Sequence, residues 1–152
     1  MLVPGTGVIL NNMLGEEDLN PYGFFTYPPG RRLPSMMAPT LVLRDGAPEL
    51  VLGSAGSNRI RAAILQVIVG VVDRGLAAAD AVEAPRLHWE DSVVYLEPGL
   101  DEAGLEAEGH TLARFRAPNL FFGGVQMVER DLATGAITGA GDPRRGGAAV
   151  AA

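Results

Sequence analysis

Residues 49–75, ELVLGSAGSNRIRAAILQVIVGVVDRG, decide the fold. Glu49-Leu50-Val51-Leu52 is short, apolar and β-prone, and a run of small residues, Gly53 to Asn58, follows it. Ile60, Ile64, Val67 and Val71 then recur at i, i+4, i+7 and i+11, the spacing of one helical face. Ala63, Ile68 and Val72 widen that stripe, so the reading buries much of the helix circumference. Ser57 or Asn58 is expected as the N-cap and Gly75 as the stop. The segment is therefore strand, glycine-rich turn, helix.

A helix start exposes backbone N–H groups without intrahelical partners, and its dipole adds positive potential. The amides of Gly56 and Ser57 are thus placed to receive an anion: a phosphate, a carboxylate, or the oxyanion of acyl transfer. The spacing Gly-Ser-Ala-Gly-Ser-Asn is neither the dinucleotide fingerprint nor a phosphate-binding loop. The same small residues equally suit a helix packed close to a sheet.

Upstream, Thr40-Leu41-Val42-Leu43 pairs with residues 49–52 through an Asp45-Gly46 turn, a β-hairpin. Downstream, a helix at residues 78–84 stops before Pro85. Val93 to Leu96 reads as a strand, residues 101–108 as a short helix, and residues 112–115 and 120–128 as strands. A last strand follows the turn at Ala133-Thr134-Gly135. Hairpins mixed with helices make this α+β with a mainly antiparallel sheet. Residues 13–30 form a loop whose Tyr22, Phe24, Phe25 and Tyr27 suggest packing against a surface. The expected organisation is one domain over residues 1–145, with 146–152 a disordered tail.

Composition narrows the chemistry. The 152 residues are 47% apolar and 20% charged, which fits a globular chain. Twelve basic residues face 18 acidic ones, net −6, an unpromising balance for nucleic acid. Every basic residue is Arg, which excludes Schiff-base lysines and Ser-Lys dyads. With no Cys and with His88 and His110 the only histidines, no metal centre is expected, and both histidines read as structural. No cofactor is implied. The most apolar run, Ala62 to Val72, falls short of the roughly 20 residues that span a bilayer, and the start lacks a leader-like basic and apolar pattern. No membrane association is expected, and the compartment stays open. Thr6 reads as a turn residue between glycines.

Taken together, Gly5-Thr6-Gly7-Val8-Ile9-Leu10-Asn11-Asn12, Ser35-Met36-Met37-Ala38-Pro39-Thr40, Gly53 to Ile60, Glu83-Ala84-Pro85-Arg86 and Gly141-Asp142-Pro143-Arg144 resemble, in order, the small subunit of γ-glutamyltransferase (γ-glutamyltranspeptidase). The resemblance implies an N-terminal-nucleophile hydrolase with an αββα sandwich, made as a self-cleaving precursor. Its N-terminal Thr attacks a γ-glutamyl amide of a glutathione-like compound, with its own amine as base, and water or an amine resolves the acyl-enzyme. By that resemblance Gly56 and Ser57 supply the oxyanion-hole amides. Ser35 and Met36 stand where hydroxyls flank the substrate carboxylate, Glu16 where an acid takes the amine, and Met13 where an amide-bearing residue stands. Met13 and Met36 depart from the polar pattern, so an amide acylase acting on β-lactam side chains is the alternative, and a non-catalytic remnant pairing with a full-length relative is another. The nucleophile segment precedes Met1 in this family, so the chain is expected to need that segment or a large subunit. Alone it should expose an apolar patch and cleave no γ-glutamyl amide.

Overall fold

The computed structural model describes residues 1–150 and, within them, every side chain but those of Glu106 and Ala107. Two compact units divide the chain, Met1–Met36 and Met37–Ala152.

In the first unit the β-prone residues make a single antiparallel bridge, Leu2 to Ile9, supported by the Val3 N–H donating to the Val8 carbonyl at 2.8 Å. Two 3-10 turns follow, Met13–Gly15 and Glu17–Leu19. Buried Asn20 ties them together, its Nδ2 donating to the carbonyls of Glu16 (2.7 Å) and Leu14 (3.3 Å). Of the expected packing aromatics, Tyr27 is half-buried and its hydroxyl donates to the Leu19 carbonyl, whereas Phe25 is fully exposed.

The second unit holds two sheets. Strands β1 (Thr40–Arg44), β2 (Ala47–Ala55), β6 (Gly124–Arg130) and β7 (Ile137–Gly141) form an antiparallel sheet in the order β1-β2-β6-β7. Pro48 is tolerated in β2 because pairing with β6 begins only at Leu50. Strands β3 (Leu87–Glu90), β4 (Val93–Leu96) and β5 (Thr111–Arg114) form the second sheet, antiparallel between β3 and β4 and parallel between β4 and β5. Helix α1 spans Ile60–Val72, α2 Ala78–Glu83 and α3 Ala103–Ala107. No helix among the described residues is long and apolar enough to cross a membrane, and no acidic, His or Cys cluster among them could hold a metal ion.

The core lies between the first sheet and the helices α1 and α2. Leu50, Leu52, Val125, Met127 and Ala140 point inward against Ile60, Ala63, Ile64 and Val67 of α1 and Ala78, Ala81 and Val82 of α2. Each fully buried aliphatic side chain contributes about 1.5–3 kcal/mol. Gly70 lets α2 approach, since a Cβ there would come 3.2 Å from the Ala81 Cβ. The buried stripe of α1 is narrower than its sequence implied: Val72 is exposed, and Ile68 and Val71 are half-buried. Gly75 closes the helix at φ +67°, with the Leu76 N–H on the Gly70 carbonyl and the Gly75 N–H on the Val71 carbonyl.

Two elements differ from expectation. Leu87–Glu90 is a strand, turned into β4 through Asp91 and Ser92, both at positive φ, where no Asn-Gly or Asp-Gly signal marks the turn. The stretch expected as one strand from residue 120 is a 3-10 turn over Leu120–Phe122, broken from β6 at Gly123, whose φ is +81°. Of the tail expected to be disordered, residues 151–152 lie outside the described residues. Before them, the Gly147 N–H donates to the Asp142 carbonyl at 2.8 Å, and Gly139 lies against Ala149.

The outer face of the first sheet is apolar and open. Leu41, Val51 and Val128 are in register across three strands, and with Leu43 and Ile137 they all stay exposed. A contiguous apolar face of this kind is a surface that a second layer or a partner can cover.

Candidate active site

Strand β2 ends at Ala55, and the chain then turns through two residues at positive φ, Gly56 (+132°) and Ser57 (+55°). A 3-10 turn, Ser57–Arg59, leads into α1. The cap position of α1 falls on Arg59, past the expected Ser57 or Asn58, because the tighter turn intervenes, and Arg59 makes no side-chain capping bond. The Gly56 carbonyl instead accepts the Arg59 N–H at 3.1 Å. Asn58 reaches sideways, its Nδ2 donating to Glu90 Oε1 of β3 at 3.0 Å.

The turn is set by a backbone-on-backbone contact. A Cβ on Gly56 would come 2.7 Å from the Gly123 Cα, and a Cβ on Gly123 would come 3.0 Å from the Ala55 carbonyl oxygen and 3.1 Å from both the Ala63 Cβ and the Ser54 Oγ. Two glycines therefore let the β2–α1 turn and the start of β6 touch. Ser57 is different. The left-handed region is open to it at a cost of about 1 kcal/mol, so Ser57→Gly is expected to raise stability by about 0.5–1 kcal/mol. An upward shift of the urea midpoint checks this; a downward shift means that the Ser57 side chain contributes more than its backbone costs.

Around the turn, Glu90 gathers three groups. Beside Asn58, it lies 3.7 Å from Arg59 Nη1 and 3.5 Å from His88 Nε2. The Arg59 guanidinium also lies over the Phe121 ring, 4.8 Å from its centre. Burial lowers the pKa of His88 below the usual imidazole range, opposed by Glu90 and assisted by Arg59 and Arg61. The lowered pKa favours the neutral imidazole.

Beneath the turn lies a feature that the sequence did not disclose. Arg86, Glu97, Asp142 and Arg144 form a buried, charge-balanced tetrad. Arg144 grips Glu97 with two nitrogens, at 2.8 and 2.5 Å, and also donates to the carbonyls of Val82 and Ala84. Glu97 further accepts the N–H groups of Arg86 (3.0 Å) and Asn119 (2.9 Å). Asp142 pairs with Arg86 at 2.7 Å and accepts the N–H groups of Val125 and Arg144, both at 2.9 Å. Burial alone would raise the Asp142 pKa; the Val125 amide, Arg86 and the Arg144 amide outweigh it and hold the carboxyl below its ordinary range. Because Val125 directly follows Gly123-Gly124, this network fixes the strand on which the Gly56 turn rests. Pro85-Arg86 and Pro143-Arg144 stand in two of the motifs that carry the family resemblance, and nothing in them marks the arginines as buried.

The other candidate residues fall in the first unit. Met13 opens the first 3-10 turn and Glu16 follows that turn, its N–H donating to the Met13 carbonyl at 3.2 Å, so the two share one bend. Ser35 is exposed and Met36 half-buried in the extended stretch that ends the unit. Gly56 and Ser57 belong to the second unit.

An α+β chain with a mainly antiparallel sheet and a glycine-set turn leading from strand to apolar helix is of the N-terminal-nucleophile hydrolase class. Across residues 1–152 the chain matches the family model described as Gamma-glutamyltranspeptidase. It is 36% identical over 152 residues to the acylase ACY 1 proenzyme of Pseudomonas sp. (strain SE83), covering 98% of this chain and 26% of that protein. It is 34% identical over 154 residues to the glutathione hydrolase proenzyme of Bacillus subtilis (strain 168), covering 99% and 26%. The structure superposes on γ-glutamyltranspeptidase from Pseudomonas nitroreducens complexed with L-DON with a TM-score of 0.74 and 29% identity, covering all of this chain and 86% of that one. The chain belongs to the γ-glutamyltranspeptidase family, and it spans about a quarter of the length of the curated relatives it matches.

Proposed function

We propose that these residues form the part of a γ-glutamyltransferase-type enzyme that stabilises the transition state and holds the substrate, the attacking Thr hydroxyl coming from polypeptide outside them. The observation that carries this reading is the turn at Gly56 and Ser57, two successive residues at positive φ between β2 and α1 in a chain of this family. The Thr oxygen adds to the amide carbonyl, and the Thr amine takes its proton. Negative charge moves to the carbonyl oxygen, where the amides of Gly56 and Ser57 receive it; one such donor is worth about 3–4 kcal/mol of barrier. Collapse releases the amine, protonated by the same base, and leaves an ester that water or an acceptor amine cleaves.

In this reading Glu16 takes the substrate amine, Ser35 and Met36 line the carboxylate end, and Met13 stands in place of an amide-bearing substrate contact. A methionine side chain offers no hydrogen-bond donor, which favours, as second reading, an acylase whose substrate lacks the glutamyl amine; the 36% identity with an acylase proenzyme supports it. The open face bearing Leu41, Leu43, Val51, Val128 and Ile137 is where the large-subunit portion would pack.

Turnover of γ-glutamyl-p-nitroanilide is the test. The 152 residues alone are expected to give none, and the same residues assembled with a Thr-bearing segment and a large subunit to release nitroaniline. Cleavage of glutaryl or β-lactam side-chain amides by that assembly, without γ-glutamyl cleavage, selects the acylase reading. Turnover by the 152 residues alone overturns the proposal.

A further inference from the structure

A cavity of about 500 Å³ adjoins the Gly56 turn, and the proposed oxyanion site does not use it. Met37, Ala38, Pro39, Ser54, Gln126 and Arg145 line it together with small backbone-lined positions, and Arg145 is the ionisable side chain among them. The pocket is therefore mostly apolar with one cation in its wall.

Arg145 is placed there by the fold. It ends the 3-10 turn Pro143–Arg145, and its Nη2 donates to the Leu120 carbonyl at 3.1 Å. Its stem lies on Gly124, where a Cβ would come 2.5 Å from the Arg145 Cδ and 2.8 Å from its Cγ. Its guanidinium lies 3.6 Å from where a Cβ on Gly56 would stand, beside the anion-binding turn. The contrast with its neighbour is informative. Arg144 is buried and satisfied by two carboxylates, whereas Arg145 is exposed and has no carboxylate within ion-pairing distance among the described residues. A guanidinium held by one carbonyl keeps the remainder of its planar donor fork free for a bidentate carboxylate. In an apolar wall such a pair is screened less than in open water.

We infer that Arg145 is a specificity-determining residue: it receives a carboxylate on the portion of substrate or acceptor that lies beyond the reacting carbonyl, and the cavity takes that portion's small apolar side chain. The ligand class is an amino acid or short peptide with a free carboxylate, entering as leaving group or acceptor. The assignment of this side of the turn to the leaving group and acceptor rests on the reading under Proposed function; the carboxylate site itself does not.

The experiment is a binding titration on the whole polypeptide that carries these residues, followed by NMR at the Ser54 and Gly124 amides and the Arg145 Nε–H. The probes are N-acetyl-alanine and N-acetyl-alaninamide, alike except for the carboxylate. The acid is expected to bind about tenfold more tightly than the amide. Arg145→Gln is expected to remove that preference and Arg145→Lys to keep part of it, each with a melting temperature within a few degrees of the parent. Equal binding of acid and amide by the parent, or a preference that survives Arg145→Gln, overturns the inference. Because the readout is binding, the two ideas fail separately: cleavage without the preference sinks this subsite alone, and the preference without cleavage sinks the reading of the reaction alone.

Discussion

Gly56→Ala is expected to cost about 3 kcal/mol or more of folding stability and, in an assembled enzyme, to abolish turnover. Two penalties coincide at that position. The residue has φ +132°, outside the ordinary left-handed region that other residues tolerate. The added methyl would also stand 2.7 Å from the Gly123 Cα, and backbone cannot swing aside as a side-chain tip can. Relief requires the β2–α1 turn to part from the start of β6, which displaces the amides on which the proposed chemistry depends. Against a total of about 5–15 kcal/mol for a small domain, such a loss is visible as a large fall in urea midpoint. A loss under 1 kcal/mol would mean that the two backbones do not meet as drawn.

The second large effect is in the buried tetrad. Glu97→Ala is expected to destabilise by about 3–5 kcal/mol, because Arg144 keeps a charge that water cannot reach. The same change strands the N–H groups of Arg86 and Asn119. Paired replacement is the diagnostic. Glu97→Leu with Arg144→Met removes both charges while filling similar volume, and it is expected to be more stable than Glu97→Leu alone. Equilibrium unfolding of the two singles and the double measures that coupling; additive losses would refute a desolvated pair.

The sequence disclosed these parts unequally, for physical reasons. The β1–β2 hairpin was legible because Asp45-Gly46 sits between two short apolar runs, a strictly local signal. Helix α1 was legible because its period extends over three turns and a glycine stops it. The cap was misread because a Ser before a helix is ambiguous between capping it and occupying a left-handed turn position, and here Gly123, far along the chain, sets the turn geometry. Strand β3 escaped because Asp91-Ser92 adopts a conformation more often given to glycine. The tetrad was beyond local reading altogether: Glu97 and Arg144 are 47 residues apart, and a charge in a sequence carries no mark of burial. Met13 and Met36 owe their candidacy to resemblance alone.

The tetrad also bears on how the molecule reaches its native state. Arg86 and Glu97 precede Asp142 and Arg144 in chain order, so on a growing chain the first two lack part of their countercharge. Until the later pair is synthesised, water must remain around those early charges and the seam beneath the glycine turn stays wet. Closure of that seam therefore waits on the last of the four residues, and a chain ended before Asp142 is expected to keep it open to water.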